Sequence, residues 1–309
     1  DIALHDIKAK ALGIPVYELL GGKVRDRIPL YWSHCGLERI INPDRLGLKK
    51  INTLDDMTDL CDEVRNAGFR YIKTNLLPLE EFGQMGQDVY AKFFNPHNGE
   101  CTPEVEEVAR KVIGTFRKNL GQDVGIALDT AFTFKLGGAI RLARALEPYE
   151  LLWMEVESWD PKALRTIRDS TRTPICTGES LYGPEQFREY LHVYAQDYVM
   201  PDIGWNGITI GRKVAELAQL HDVLFTPHNC TGPICTLASA HLCATVRNLF
   251  GMEFDYDDAP WRDEVITRPI ADIFNQGDLV LGDQPGLGAD VIEEKLSSYP
   301  PREDYVGAK

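Results

Sequence analysis

The sequence predicts an α/β fold in the form of a closed, TIM-like (β/α) barrel with a C-terminal extension. Three observations carry that prediction. Eight short apolar runs alternate with helical patterns along 309 residues. A polar residue closes nearly every run, and from Asp129 onward these residues stand 26, 24, 23, 26 and 25 positions apart, the length of one strand-plus-helix unit. Eight such units favour a closed barrel over an open doubly wound sheet.

In chain order, residues 2–12 read as a helix stopped by Gly13 and Pro15. Leu30 to Trp32 is the first strand. The next helix runs from about Leu54 to Ala67, with Leu54, Met57, Leu60, Cys61 and Val64 at helical spacing and Gly68 as its stop. Phe69 to Ile72 is the second strand. Residues 76–102 hold Gly83, Gly86, Pro96, Asn98 and Gly99 without clear periodicity, and read as a long loop of the kind that forms lids. Glu104 to Leu120 is a helix with Val105, Val108, Val112 and Phe116 on one face. A strand then ends at Asp129. After it, helices near 139–146, 162–167, 185–191, 208–220 and 234–244 alternate with strands at 151–155, 174–177, 198–200, 223–225 and 249–252. From Phe254 the rhythm stops, and the segment is expected to pack against another domain or subunit. The expected organisation is a lead-in over 1–28, a barrel over 29–254 and a C-terminal segment over 255–309. The chain starts at Asp1 without a Met, and a preceding N-terminal piece is expected.

Composition limits the partners. Lys and Arg total 33 against 47 Asp and Glu, a formal net charge of −14. A nucleic-acid binder needs a basic face, and an anionic membrane surface would repel this chain. No apolar run approaches the length that spans a bilayer. The seven cysteines, Cys35, Cys61, Cys101, Cys176, Cys230, Cys235 and Cys243, are odd in number and scattered, which reads as free thiols in a reducing cytoplasm.

In a barrel of this kind the chemistry sits at the C-terminal ends of the strands. The polar residues closing the runs are Lys73, Asp129, Glu155, Glu179, Asp202, His228 and Glu253, and equal spacing points them into one mouth. Asp129, Glu155 and Glu179 would repel one another without a cation. A set of oxygen donors with no Cys or His selects Mg²⁺ over Zn²⁺. Glu157 competes with Glu155, because alternation puts both on one face; Glu155 is favoured because it closes the apolar run. His228 and Asp202 end adjacent strands, where an Asp can fix the imidazole tautomer and raise its basicity. Lys73 can bind or polarise a substrate carboxylate. His34, closing the first strand, and Tyr90 and His97, in the long loop, are candidate substrate contacts; single residues of such a loop, Asn95 among them, are more often surface groups. His5, His192, His221 and His241 lie on or beside helices and read as structural.

At these residues the sequence resembles the enolase superfamily, in the branch of mandelate racemase and the sugar-acid dehydratases. The segment Asp6 to Gly22 looks like that family's entry into its barrel. The three acids, the Asp202 and His228 pair, Glu253 and the run Pro285-Gly286-Leu287-Gly288 follow in the same order. The resemblance spans essentially the whole chain. It implies a modified (β/α)7β barrel, an α+β capping domain absent from this chain, and a homo-oligomer. It also implies abstraction of a proton alpha to a carboxylate, giving an enediolate held by Mg²⁺. On this reading Asp129, Glu155 and Glu179 hold the metal, Asp202 and His228 form the base dyad, and Glu253 and Lys73 hold the substrate carboxylate.

Two departures narrow the reaction. Many relatives have Lys-x-Lys after the second strand; here the run is Lys73-Thr74-Asn75, and Asn75 cannot take a proton. Simple racemisation, which wants bases on both faces, is disfavoured, and Asn75 becomes a substrate contact. Lys-x-Asn resembles the galactonate dehydratase group, whose acid is a His two residues after the first metal ligand. That place is Ala131 here. The expected activity is dehydration of an aldonate or aldarate to a 2-keto-3-deoxy acid, with the proton for the leaving hydroxyl coming from His228 itself, Tyr90 or His97. An epimerase or cycloisomerase of the same superfamily, or a barrel that binds metal without catalysis, are the alternatives.

Overall fold

The computed structural model describes residues 1–93 and 99–300. Helices α1 (Ile2–Leu12) and α2 (Val16–Leu19) lead into strand β1 (Ile28–Trp32). Short helices α3 (Leu37–Ile41) and α4 (Pro43–Leu46) precede α5 (Asp56–Asn66), β2 (Tyr71–Thr74), α6 (Gly83–Phe93), α7 (Pro103–Leu120) and β3 (Gly125–Asp129). The alternation continues through α8 (Leu136–Leu146), β4 (Met154–Glu155), α9 (Pro161–Asp169), β5 (Ile175–Thr177), α10 (Gly183–His192) and β6 (Tyr198–Val199). It ends with α11 (Ile203–Leu220), β7 (Leu224–Phe225), α12 (Pro233–Thr245) and β8 (Met252–Phe254). A hairpin, β9 (Phe274–Asn275) and β10 (Asp278–Leu279), and helix α13 (Glu293–Leu296) follow.

Strands β1 to β7 pair in parallel, each with the next in sequence, and β8 pairs in parallel with β1. The ring closes between β7 and β8 through a parallel bridge from Phe225 to Leu249. There the Phe225 N–H donates to Asn248 O and the Phe250 N–H to Phe225 O, both at 2.9 Å. Strand alternation divides the apolar residues into two cores. Tyr31, Ala127, Trp153, Cys176 and Met200 point inward and fill the barrel. Leu30, Trp32, Ile72, Ile126, Leu128, Ile175, Val199 and Phe225 point outward to the helical layer. Helix α7 is typical of that layer. Thr102 caps its first turn by accepting from the Val105 N–H, and Pro103 occupies the first helical position. Its face of Val105, Val108, Val112, Ile113, Phe116 and Leu120 is buried, each large side chain contributing about 1.5–3 kcal/mol of transfer free energy.

One sequence expectation changes here, and another gains a contact. The stretch read as an irregular loop contains α6, whose Val89 packs into the core beside Phe82 and Leu79. Gly83 and Gly86 hid that pattern, since glycine carries no hydrophobic signal. The C-terminal segment, expected to pack against another domain or subunit, also contributes to this barrel: its hairpin pairs Leu279 of β10 antiparallel with Ile28 of β1. Gly277 in the hairpin turn has φ +73°, and an added Cβ would meet the Gly68 carbonyl. Bare backbone therefore packs on bare backbone at that point.

The opening and closing segments quoted above meet in space. Pro15 bridges Gly286, Val16 N–H donates to Gly286 O at 2.9 Å, and Leu287 N–H donates to the Asp6 carboxylate at 2.8 Å. His241 of α12 accepts from Tyr17 N–H through Nδ1 and donates to Leu287 O through Nε2, each at 3.2 Å. All seven cysteines are unpaired. No helix among the described residues is long and apolar enough to cross a membrane.

Candidate active site

Parallel register brings the strand-closing side chains together. Asp129 and Glu155 are direct register partners on β3 and β4. Glu179 follows the end of β5 by two residues. Asp202 and His228 each lie three residues beyond the paired positions Val199 and Phe225, so they emerge side by side. Glu253 pairs with Tyr31 across β8 and β1; it lies within its strand rather than just beyond it, because β8 falls later than the apolar run suggested.

At the floor, Lys73 is buried between two carboxylates, 2.8 Å from Glu155 Oε2 and 2.6 Å from Glu253 Oε1. Burial opposes its charge, but Glu155 and Glu253 outweigh that and hold its pKa well above the ordinary lysine value. Glu253 is saturated: Oε1 also accepts from Ser33 Oγ at 2.5 Å, and Oε2 from Asn229 N–H at 3.0 Å. Burial alone would raise its pKa, yet Lys73, His228 and His34 together hold it far below the usual carboxylate range.

The three acids of β3, β4 and β5 differ in surroundings. Asp129 accepts from Asn75 Nδ2 at 3.0 Å and from Ala131 N–H at 2.8 Å. Glu155 is fully buried, and its Oε1 has no hydrogen-bond partner among the described residues. Its pKa is raised well above the ordinary value, first by burial and then by Asp129. Glu179, 3.4 Å from His228 Nε2, is raised as well, chiefly by burial. Their oxygens do not all approach one another within 4.8 Å; among the described residues, the three-residue donor sets that do are His34, Cys230, Asp255 and His228, Cys230, Glu253. Like charges repel; Asp129 turns to Asn75 and the Ala131 N–H, Glu155 to Lys73, and Glu179 lies toward His228. The trio nonetheless fits a hard divalent cation: all donors are oxygens, Glu155 and Glu179 resist ionising, and among the described residues the buried Glu155 Oε1 stands unpartnered. Glu157 does not compete for that position. Its Oε1 accepts from Thr177 Oγ1 at 2.8 Å and from Gly178 N–H at 2.7 Å, and burial, with Glu179 beyond it, pushes its pKa up to about 7.

Asp202 is buried and caps α11, accepting from Trp205 N–H at 2.8 Å through Oδ1, while Oδ2 lies 2.6 Å from His228 Nδ1. A carboxylate only accepts, so Nδ1 carries a proton and the lone pair of the neutral ring sits on Nε2. That nitrogen faces Glu179 and, at 3.9 Å, Glu253. Burial opposes protonation, but Glu253, the Asp202 hydrogen bond and Glu179 push the pKa up to about 9.

His34 adopts a left-handed φ of +48° at the end of β1, and its Nδ1 is 2.8 Å from Asp255 Oδ1. Sequence reasoning missed this partner, although Asp255 lies two residues after Glu253. Ser33 and Asn229, which fasten Glu253, were missed too, and their short polar side chains carry no signal of their own. Asn75 is brought to the floor beside Asp129, with its Oδ1 buried and unpartnered among the described residues. The backbone of Tyr90 lies in α6; its side chain, and Asn95 and His97, lie outside the described residues.

Known proteins show the same arrangement of chain. Residues 56–295 match the family described as Enolase C-terminal domain-like. A D-galactonate dehydratase family member, ManD, from Chromohalobacter salexigens is 32% identical over 97% of this chain and 73% of its own. A D-mannonate dehydratase of Caulobacter vibrioides is 30% identical, over 99% of this chain and 74% of its own. A solved structure named as an L-alanine-DL-glutamate epimerase of Burkholderia xenovorans, bound to magnesium and fumarate, superposes with a TM-score of 0.88 at 35% identity, covering 98% of this chain and 75% of that one.

Proposed function

The chain belongs to the enolase superfamily, in its galactonate dehydratase-like branch, and from that premise we propose that it removes water from an acid sugar to give a 2-keto-3-deoxy acid. The observation that carries this reading is the hydrogen-bonded dyad of His228 and Asp202, placed in one mouth with Lys73, Glu253 and the acids that end three adjoining strands.

The substrate carboxylate docks against Lys73, whose charge is guaranteed by its two buried partners. Glu253, fastened by Ser33, Lys73 and Asn229, keeps a fixed place at the edge of that position. Asn75 Oδ1, unpartnered among the described residues, is available to accept from a substrate hydroxyl. His228 Nε2 takes the alpha proton, and Asp202 holds the ring in the productive tautomer and stabilises the imidazolium that results. Asp129, Glu155 and Glu179 are the residues that would hold Mg²⁺. When bound, the ion supplies positive charge where the enediolate develops and offsets the carboxylates that favour protonated His228. Asn75 cannot serve as a second base, which favours loss of a beta hydroxyl over return of the proton to the opposite face.

The test is direct. The full-length protein, with Mg²⁺, is screened against hexonates and aldarates, and products are weighed by mass spectrometry. Loss of water supports dehydration. A product of unchanged formula supports epimerisation, the reading favoured by the name of the Burkholderia structure. His228→Asn should abolish exchange of the alpha proton with deuterated water, and persistence of exchange would remove His228 as the base.

A further inference from the structure

We propose that His34, held by Asp255, is the general acid that protonates the departing hydroxyl. The proposal rests on the dehydratase reading above and supplies what that reading lacks. Ala131 stands where an acid would be expected, and its methyl carries no exchangeable proton.

The described side chains of the mouth leave few sources for that proton. Lys73 is buried and committed to Glu155 and Glu253. His228 is engaged with Asp202 and receives the alpha proton. The Cys230 thiol is a poor acid here, because burial pushes its pKa far above the ordinary thiol range. His34 remains, and it repeats on β1 the construction found on β7: an imidazole Nδ1 bound to a carboxylate, here at 2.8 Å. The carboxylate accepts only, so Nδ1–H is fixed toward Asp255 and Nε2 is the nitrogen left to exchange a proton with substrate.

The position is right as well. Ser33 links His34 to the carboxylate-binding corner, since its Oγ donates to Glu253 Oε1 and lies 3.3 Å from His34 Nδ1. Cys230 Sγ is 4.0 Å from His34 Nδ1 and also belongs to a tight set with His228 and Glu253. The two imidazoles thus flank one short stretch of the mouth, as an acid and a base working on neighbouring carbons must. The side chain of His34 is 28% exposed, so substrate can reach it. Its left-handed backbone is uncommon for a residue with a Cβ and is held by the surrounding fold.

The groups facing His34 are Asp255 and Glu253 from β8 and the turn after it, Lys73 from β2, and Cys230 from the turn after β7. Burial and Lys73 oppose its charge. Asp255, with Glu253 behind it, overcomes them and pushes the pKa up to about 9, so the ring is cationic at neutral pH, the state an acid requires.

The step balances. His228 Nε2 accepts the proton of the alpha C–H bond, and the electron pair enters the enediolate. That pair then forms the double bond between alpha and beta carbons as the beta C–O bond breaks. The departing oxygen takes the Nε2 proton of His34 and leaves as water, and the enol tautomerises to the 2-keto acid. His228 ends protonated and His34 neutral, with no external oxidant or reductant.

The experiment uses the full-length protein with Mg²⁺ and a panel of D-mannonate, D-gluconate and D-galactonate. His34→Gln should lower water elimination by about 10²–10⁴-fold, the usual contribution of general acid catalysis. Exchange of the alpha proton in deuterated water should persist, which also reports that the variant is folded. Asp255→Asn should show the same split to a smaller degree. A 3-deoxy-3-fluoro analogue loses fluoride without protonation, so His34→Gln should process it nearly as fast as the parent enzyme. Elimination of water by His34→Gln at close to the parent rate overturns the assignment, as does equal loss of exchange and elimination. A parent protein that neither exchanges nor dehydrates any member refutes the dehydratase reading and this assignment with it.

Discussion

His241 offers a measurable pH dependence that is remote from the candidate site. Its ring is buried in α12, stacked on Tyr17 at 5.4 Å, with Nδ1 accepting from Tyr17 N–H and Nε2–H donating to Leu287 O. Both nitrogens are satisfied only in the neutral form. A proton on Nδ1 would remove the acceptor from Tyr17 and bury a charge, and burial is the main reason its pKa falls from 6.5 to about 4. Between those values the unfolded chain binds the proton and the folded one does not. The contribution to stability is therefore complete above pH 6.5 and is lost as pH falls through about 4. At 1.36 kcal/mol per unit this amounts to about 3 kcal/mol. His241→Gln keeps a donor and an acceptor but does not titrate; near neutral pH it should cost about 1 kcal/mol. Urea unfolding of both proteins from about pH 7.5 to about pH 4.5 isolates the effect, because the other titrating groups cancel in the difference. The variant should overtake the parent at the acid end. Parallel curves would refute the assignment of a neutral, doubly bonded His241.

Other outcomes can be checked in parallel. Lys73→Met leaves Glu155 and Glu253 buried without their shared cation and should cost about 3–5 kcal/mol in urea unfolding; a loss below about 1 kcal/mol would contradict the ion-paired floor. Phe116→Ala, at a fully buried position of α7, should cost about 3–5 kcal/mol by the same measurement. Mg²⁺ at a hundred times its dissociation constant should stabilise the protein by about 2.7 kcal/mol, seen as a raised thermal midpoint, and Asp129→Asn should reduce that increment sharply. Gly277→Ala sets a Cβ against the Gly68 carbonyl in a left-handed backbone, and a loss of about 1–3 kcal/mol is expected from thermal melts.

Much of the fold was legible because its signals are local. Helix α1 runs over Ile2–Leu12 as the pattern indicated, and the strands fall within a few residues of the apolar runs. The misplacements have identifiable causes. Two glycines at the start of α6 diluted its pattern. The run from Leu249 to Met252 straddles a bridge to β7 and the start of β8, so apolarity marked the burial correctly but the pairing only in part. The hairpin β9 and β10 is too short to show alternation.

The site divides along the same line. A near-constant period along the chain determined which side chains end at the barrel mouth, because each parallel unit returns the backbone to the same level. Charge and residue type at those positions then determined the chemistry they can support. Only the tertiary structure decided the partners. Glu155 rather than Glu157 faces Lys73, Glu253 is fastened by Ser33 and Asn229, and His34 acquires Asp255. Ser33 and Glu253, like His34 and Asp255, lie more than 200 residues apart along the chain. Such contacts exist only once the barrel closes β8 against β1. A hydrogen bond depends on position to a fraction of an ångström, and no local pattern encodes the approach of two strands so distant in sequence.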